Sequence, residues 1–250
     1  MGICKLCLQE KELIKKSHII TDFLYNGLYD EKHKINKLIP SEFVKGNIRV
    51  SRPSTGEYEG NLLCVNCDNH IIGQYESYSR IAFLGGKLPA YECPTFSVCK
   101  NSEGLDFTYC EHISYKKFKL FLLSILWRAD ISQKDFFRSV NLGEDSNIIR
   151  DMIYNGNPGI VEDYPILLHT YINDKQVPSD IIGVPTRIEN DQRIMYVFVI
   201  SGFVILYHLS KQNIPERFIK YTIQPSNEAF IFHLPIEEGQ EFLLKYFGID

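Results

Sequence analysis

The chain of 250 residues carries 27 Lys/Arg against 31 Asp/Glu, a net charge of −4, with 44% hydrophobic and 23% charged residues. That balance excludes a disordered polyelectrolyte and a uniformly basic nucleic-acid coat, and the length holds one large domain or a small module beside a larger one. The charge is uneven: residues 1–53 hold ten Lys/Arg and six Asp/Glu, so the remainder carries −8. A mildly basic N-terminal part is compatible with phosphate contact and equally with a solvated, lysine-bearing surface.

In chain order, the opening Met-Gly-Ile-Cys-Lys has no apolar run of the kind a cleaved secretory signal contains. Cys4 and Cys7 form a first Cys-x-x-Cys knuckle. A short strand is expected over Leu13–Ile20, ending in Ser17-His18-Ile19-Ile20, and Asp22 can cap a helical turn through Phe23, Leu24 and Leu28. From Asp30 to Gly60 the chain is polar and punctuated by Pro40, Gly46, Pro53, Gly56 and Gly60, which predicts loops and a hairpin. A second knuckle follows at Cys64 and Cys67. Ile71, Ile72, Tyr75, Tyr78, Ile81 and Ala82 then recur at helical spacing, predicting a helix from Asp68 to Leu84 that Gly85-Gly86 stops.

Beyond it, strands are expected at Thr95–Val98 and Leu105–Tyr109, an apolar core helix at Tyr115–Ala129, and a further helix at Asn147–Tyr154 closed by Gly156. Six strands should follow: Ile166–Ile172, Ile182–Pro185, Met195–Ile200, Phe203–His208, Phe218–Ile223 and Ala229–His233, with a closing helix at Glu237–Phe247. Ile194 to Leu209 is the longest apolar stretch; it is shorter than the ~20 residues of a membrane-spanning helix, and Ser201-Gly202 breaks it into a β-hairpin. The resulting expectation is α+β, with a zinc-binding module at 1–86 and an α+β recognition or partner domain at 87–250 built on a mostly antiparallel sheet.

Four thiolates in two knuckles make a closed tetrahedral site, and the ion best suited to four soft ligands is zinc. Seven cysteines without a signal peptide indicate metal use in a reducing, cytoplasmic setting rather than a disulfide framework. Cys93, Cys99 and Cys110 are expected to be buried free thiols. Phosphate-cradling glycine loops, dinucleotide fingerprints and nucleophile elbows are missing from the sequence, so nucleotide-binding and α/β-hydrolase chemistries have no foothold.

His18, Asn61 and Asp68 are the chemistry-bearing residues threaded through the cysteine frame. Each has a plainer reading: His18 as a zinc ligand or knuckle hydrogen-bond partner, Asn61 as a turn residue, Asp68 as a helix cap. His70, just past the second knuckle, is a weaker metal-ligand candidate or a surface residue. Glu76 either faces the same site or belongs to an amphipathic helix surface, and Ser124 and Arg128 read as the polar edge of a buried helix.

Cys-x-x-Cys, a strand ending in His-Ile, then Asn-Leu-Leu-Cys-x-x-Cys and a polar residue resembles the zinc-bearing HNH endonucleases of the ββα-metal group, over residues 3–70. The resemblance implies a metal-dependent endonuclease acting on nucleic acid, DNA ahead of RNA, as in bacterial restriction or phage defence. It implies His18 as general base, Asn61 as the residue that orients the hairpin, and Asp68 as ligand to Mg²⁺ or Mn²⁺, with zinc structural. Ser17 stands where the family usually has Asp or His, Asp68 where it has His or Asn, and the span from His18 to Asn61 requires an insertion. The competing expectation is a zinc-stabilised adaptor or nucleic-acid-binding subunit without catalysis, with the C-terminal part contacting a protein partner.

Overall fold

The computed structural model describes residues 1–25, 28, 36–38, 50–51, 56–102, 104–172, 181–190, 193–209, 214 and 216–234. The architecture is α+β: one large, mostly antiparallel sheet, a buried helix packed on it, and a cysteine-rich N-terminal part that shares the same core and lends two short strands to one edge of the sheet.

The N-terminal part is built from very short strands. β1 (Gly2–Ile3) and β2 (Glu10–Lys11) pair around the first knuckle. β3 (Ser17–His18) is followed by a 3₁₀ turn at Asp22–Tyr25, so the strand expected over Leu13–Ile20 is reduced to two residues and a single bridge, Leu13 to Cys64. The expected hairpin within Asp30–Gly60 is present as β4 (Asn36–Leu38) paired antiparallel with β5 (Val50–Ser51); the rest of that loop lies outside the described residues. β6 (Tyr58–Glu59) returns to pair with β3, setting Ser17 opposite Glu59 and His18 opposite Tyr58.

The helix after the second knuckle starts earlier than expected. A π-helical run, Asn66–Ile72, precedes α1 (Gly73–Leu84), and the Gly73 N–H reaches back to the Asp68 carbonyl. Cys67 and Asp68 are therefore inside the helical segment, and Asp68 is not its cap. Gly85, at φ +86°, ends α1 as the sequence predicts.

β7 (Thr95–Lys100) and β8 (Asp106–Glu111) form a hairpin. α2 (Tyr115–Ile131) buries almost its whole circumference, Phe118, Phe121, Leu122 and Trp127 included. Each such side chain contributes roughly 1.5–3 kcal/mol through burial, which makes α2 the pivot of the core. α3 (Asp145–Asn155) closes on Gly156 at φ +64°, with Asn157 N–H bonded to the Met152 carbonyl. Tyr75 of α1 donates to the Ile153 carbonyl and Tyr78 accepts from the Ser114 N–H, joining α1 to α3 and to the start of α2.

The sheet is completed by β9 (Ile166–Thr170), β10 (Ile181–Gly183), β11 (Thr186–Asn190), β12 (Arg193–Ile200), β13 (Phe203–His208) and, after the short helix α4 (Glu216–Ile219), β14 (Ala229–His233). Its order is β5-β4-β10-β12-β13-β9-β14-β8-β7, with β11 also on β12; only β4–β10 and β9–β14 are parallel. Ser201 and Gly202, both at positive φ, turn β12 into β13 as the Ser-Gly dipeptide predicts. The sheet packs on α2 through residues such as Tyr207, whose hydroxyl donates to the Leu122 carbonyl.

Several expectations need correction. Phe218–Ile223 is not a strand: residues 216–219 are helical, with Glu216 in the first turn and the Gln224 side chain donating to the Ile219 carbonyl at 2.6 Å. A local polar partner for the freed carbonyl outweighs the β-branched character of the run. β11 carries no strand signal in the sequence, because its Thr-Arg-Ile-Glu-Asn holds too few apolar residues. Of the three spare cysteines only Cys110 is buried; Cys93 is exposed beside a 3₁₀ turn and Cys99 is half-buried on an edge strand. The helix expected at Glu237–Phe247 lies outside the described residues. One cluster of buried side chains runs from Cys4 to Ile231, across the expected 86/87 boundary. No helix among the described residues is long and apolar enough to cross a membrane.

Candidate functional site

Cys4, Cys7, Cys64 and Cys67 bring their Sγ atoms within 4.8 Å of one another. The local chain explains how. Leu8, at φ +57°, lets its N–H fold back 2.8 Å to the Cys4 carbonyl, while Lys5 N–H bonds Leu62 O and Ile14 N–H bonds Leu63 O, so the two knuckles are stitched face to face. The Cys64 N–H points at Cys4 Sγ, 3.3 Å away. Burial works against a thiolate at Cys4, but the amides of Cys7, Cys64 and Leu6 outweigh it and bring that thiol down to about 7. Cys67 is pushed the other way by burial and by the neighbouring sulfurs. Four mostly buried sulfurs with one poised to ionise fit a tetrahedral dication, which removes the burial cost by displacing the protons. The chain can hold a metal ion here, and structural zinc matches the donor set.

A second polar cluster gathers around Ser17 of β3. Ser17, 1% exposed, donates from Oγ to Asp68 Oδ1 at 2.5 Å, linking strand to helix. Asp68 has its carboxyl raised above the usual range, chiefly by burial and further by the Glu76 charge, against the pull of Ser17, Arg128 and His18. Glu76, two turns along the helix, faces this cluster: Thr21 Oγ1 donates to Glu76 Oε1 at 2.6 Å, and Arg128 of α2 pairs with the same oxygen at 2.8 Å. Arg128 also donates to the His18 carbonyl at 2.6 Å and to the Ser124 carbonyl at 3.1 Å. The His18 imidazole is 40% exposed, 4.0 Å from Asp22 and edge-on to Tyr58. A cleft of about 490 Å³ opens alongside, lined by Thr21, Asp22, Asp68, Asn69, Glu76 and Arg80 among others.

The sequence-predicted residues divide accordingly. Asp68 lies in the cluster and lines the cleft, whereas His18 joins the cluster through its backbone carbonyl and its ring, beside Asp22 and Tyr58, does not line the cleft. Asn61 sits exposed at φ +62° with its N–H on the Ile14 carbonyl, in the conformation of a turn residue that brings the second knuckle back to the first. His70 is exposed and does not line the cleft. Of the other members, Ser17 stands at the position the resemblance singles out, Glu76 takes the site-facing alternative of its two readings, Arg128 reads in the sequence only as the polar edge of a buried helix, and Thr21 carries no signal. Arg128 is a further signal in its own right, a guanidinium in the middle of an otherwise apolar helix, which demands a buried partner. Among the described residues, the four cysteines are the only group in which three or more ligand atoms converge.

No family model matches the chain, and neither a curated protein nor a solved structure proves similar to it.

Proposed function

We propose that the chain is a zinc-stapled ββα-metal endonuclease, in which His18 activates water and Asp68 contributes to a divalent-cation site on the nucleic acid. The observation that carries this reading is the order of parts around one point. β3 and β6 pair antiparallel, the helix after Cys67 follows, and a hydrogen bond joins Ser17, next to His18, to Asp68. That is a hairpin and helix clamped by cysteines, with an accessible imidazole on the hairpin and a carboxylate on the helix.

Asp68 keeps Oδ2 outside its bond to Ser17, and Mg²⁺ or Mn²⁺ is commonly held by one or two carboxylates plus water and substrate phosphate. Such an ion, when bound, supplies charge for the scissile phosphate and the leaving oxygen. The residues of the chain do the rest. The His18 ring, carried by a strand end whose backbone carbonyl Arg128 holds and lying 4.0 Å from Asp22, takes the proton from the attacking water at whichever ring nitrogen faces it. Arg128 neutralises Glu76, so the cleft does not present three unpaired carboxylates to a polyanion.

The test is cleavage of supercoiled DNA by zinc-loaded protein with Mg²⁺ or Mn²⁺, beside His18→Ala and Asp68→Ala. Metal-dependent nicking lost in both variants supports the reading; wild-type protein that leaves plasmid and RNA intact overturns it. A second reading, a nucleic-acid-binding or adaptor module without catalysis, is favoured by one specific feature: the usual ligand position holds Ser17, whose hydroxyl is spent on Asp68. Salt-dependent DNA binding that survives His18→Ala, without nicking, would select it.

A further inference from the structure

We infer that two copies of this chain associate edge to edge through β7, antiparallel, extending the large sheet across a two-fold axis. β7 is a terminal strand of the sheet, and its side chains are open to solvent: Val98 is 70% exposed and Phe96 46%. At the mouth of the β7–β8 hairpin, Asn101 N–H donates to the Leu105 carbonyl. Antiparallel bonding alternates, so the ladder to β8 is bonded at Cys99, Ser97 and Thr95, opposite Phe107, Tyr109 and Glu111. The N–H and C=O groups of Phe96, Val98 and Lys100 therefore point outward.

Exposed edges are ordinarily blunted by charge, proline or a bulge. β11 shows such protection, with Arg187 and Glu189 along Thr186–Asn190. β7 does not: Thr-Phe-Ser-Val-Cys-Lys has one charge, and Lys100 is already paired at 2.7 Å with Asp106 on the neighbouring strand. The occupant must itself be a terminal strand with apolar alternation and no unpaired charge, and among the described side chains β7, whose one charge is paired within its own hairpin, is the one that qualifies. Self-pairing also has a preferred register. A two-fold centred on Val98 sets Val98 opposite its copy and Phe96 opposite the second copy's Lys100, using all three outward residues. Centring on Ser97 instead sets Lys100 opposite Pro94, which has no N–H to give. In the Val98-centred register Ser97 faces the second copy's Cys99 in a non-bonded pair, whose Cα separation of ~4.5 Å lies within disulfide range.

The experiment measures the mass of the full zinc-loaded chain by size exclusion with light scattering across a concentration series, beside Val98→Lys. Ser97→Cys in a Cys93→Ser background is examined under mild oxidation. The expected results are a wild-type mass twice the 29.0 kDa of one chain, a Val98→Lys variant at the single-chain mass with unchanged circular dichroism, and a reducible Ser97→Cys dimer that Cys99→Ser abolishes. A single-chain mass for the wild type at every concentration, a dimer indifferent to Val98→Lys, or no Cys99-dependent cross-link overturns the inference.

Discussion

Arg128 Nη1 lies 2.8 Å from Glu76 Oε1, and the guanidinium that makes this pair is 2% exposed at the side chain while the carboxylate is 24% exposed. The pair joins the central helix α2 to the helix carrying Cys67 and Asp68. The same guanidinium holds the His18 carbonyl and reaches Thr21 at 3.4 Å, so strand, turn and both helices meet at one side chain.

Removing one partner of a buried pair is costly because the other charge stays behind. Arg128→Ala is therefore expected to lower unfolding stability by about 3–5 kcal/mol, whereas Arg128→Met, with a matched stem and Glu76→Gln beside it, should recover a large part of the loss. Urea unfolding of the two single variants and the double variant measures this; additive losses would mean that the pair is not coupled.

How much of this was legible in the sequence depends on the range of each signal. The four cysteines declare themselves because ligand spacing within a knuckle is a local code. The β12–β13 hairpin does so because Ser201-Gly202 supplies two positive-φ residues at the break in an apolar run. The Gly85 and Gly156 stops are local too. The polar cluster is not: Ser17 and Asp68 are 51 positions apart, and Arg128 and the His18 carbonyl 110. No periodicity encodes such pairings, and only an unpaired charge amid apolar residues hints that they exist. Residues 216–223 show the opposite failure, a short mixed run whose strand-like side chains are overruled by the hydrogen bonds at a helix end.

Ser17→Ala tests how far the hydroxyl supports Asp68. Loss of a hydrogen bond to a charged group removes about 1.5–3 kcal/mol, and the Asp68 carboxyl should rise further because Ser17 is one of the groups holding it down. The Asp68 titration followed by carboxyl NMR gives the direction directly; a fall would show that the hydroxyl is not a donor to the carboxylate. Ser17→Asp places a second carboxylate against the first and, on the endonuclease reading, should increase Mn²⁺ affinity at a cost in stability without the ion.

Zinc held by the four cysteines, as proposed, entails a sharp dependence on that ion. One zinc per chain should be found by elemental analysis, and chelation or Cys67→Ser should release protection of the amides of residues 4–14 and 61–72 while β12 and β13 keep theirs. Binding to a closed cysteine site is worth on the order of 10 kcal/mol in small zinc modules near neutral pH, so the loss should be large rather than graded. Hydrogen exchange with and without chelator is the measurement; uniform protection in both would remove zinc from its structural role.

Acid should act on a different part of the molecule. His169 of β9 and His208 of β13 are both lowered to about 4 by burial, with Arg193 adding to the effect at His208. In the unfolded chain each takes up its proton near pH 6.5. Between those values the unfolded state binds more protons than the folded one, so stability is complete above pH 6.5 and declines as pH falls toward 4. Replacing both by Phe or Gln should flatten that decline, leaving the zinc-dependent step, in which thiols reprotonate, as the remaining acid transition. Equilibrium unfolding at a series of pH values on metal-loaded protein separates the two; a wild-type slope unchanged by the double substitution would place the acid sensitivity elsewhere.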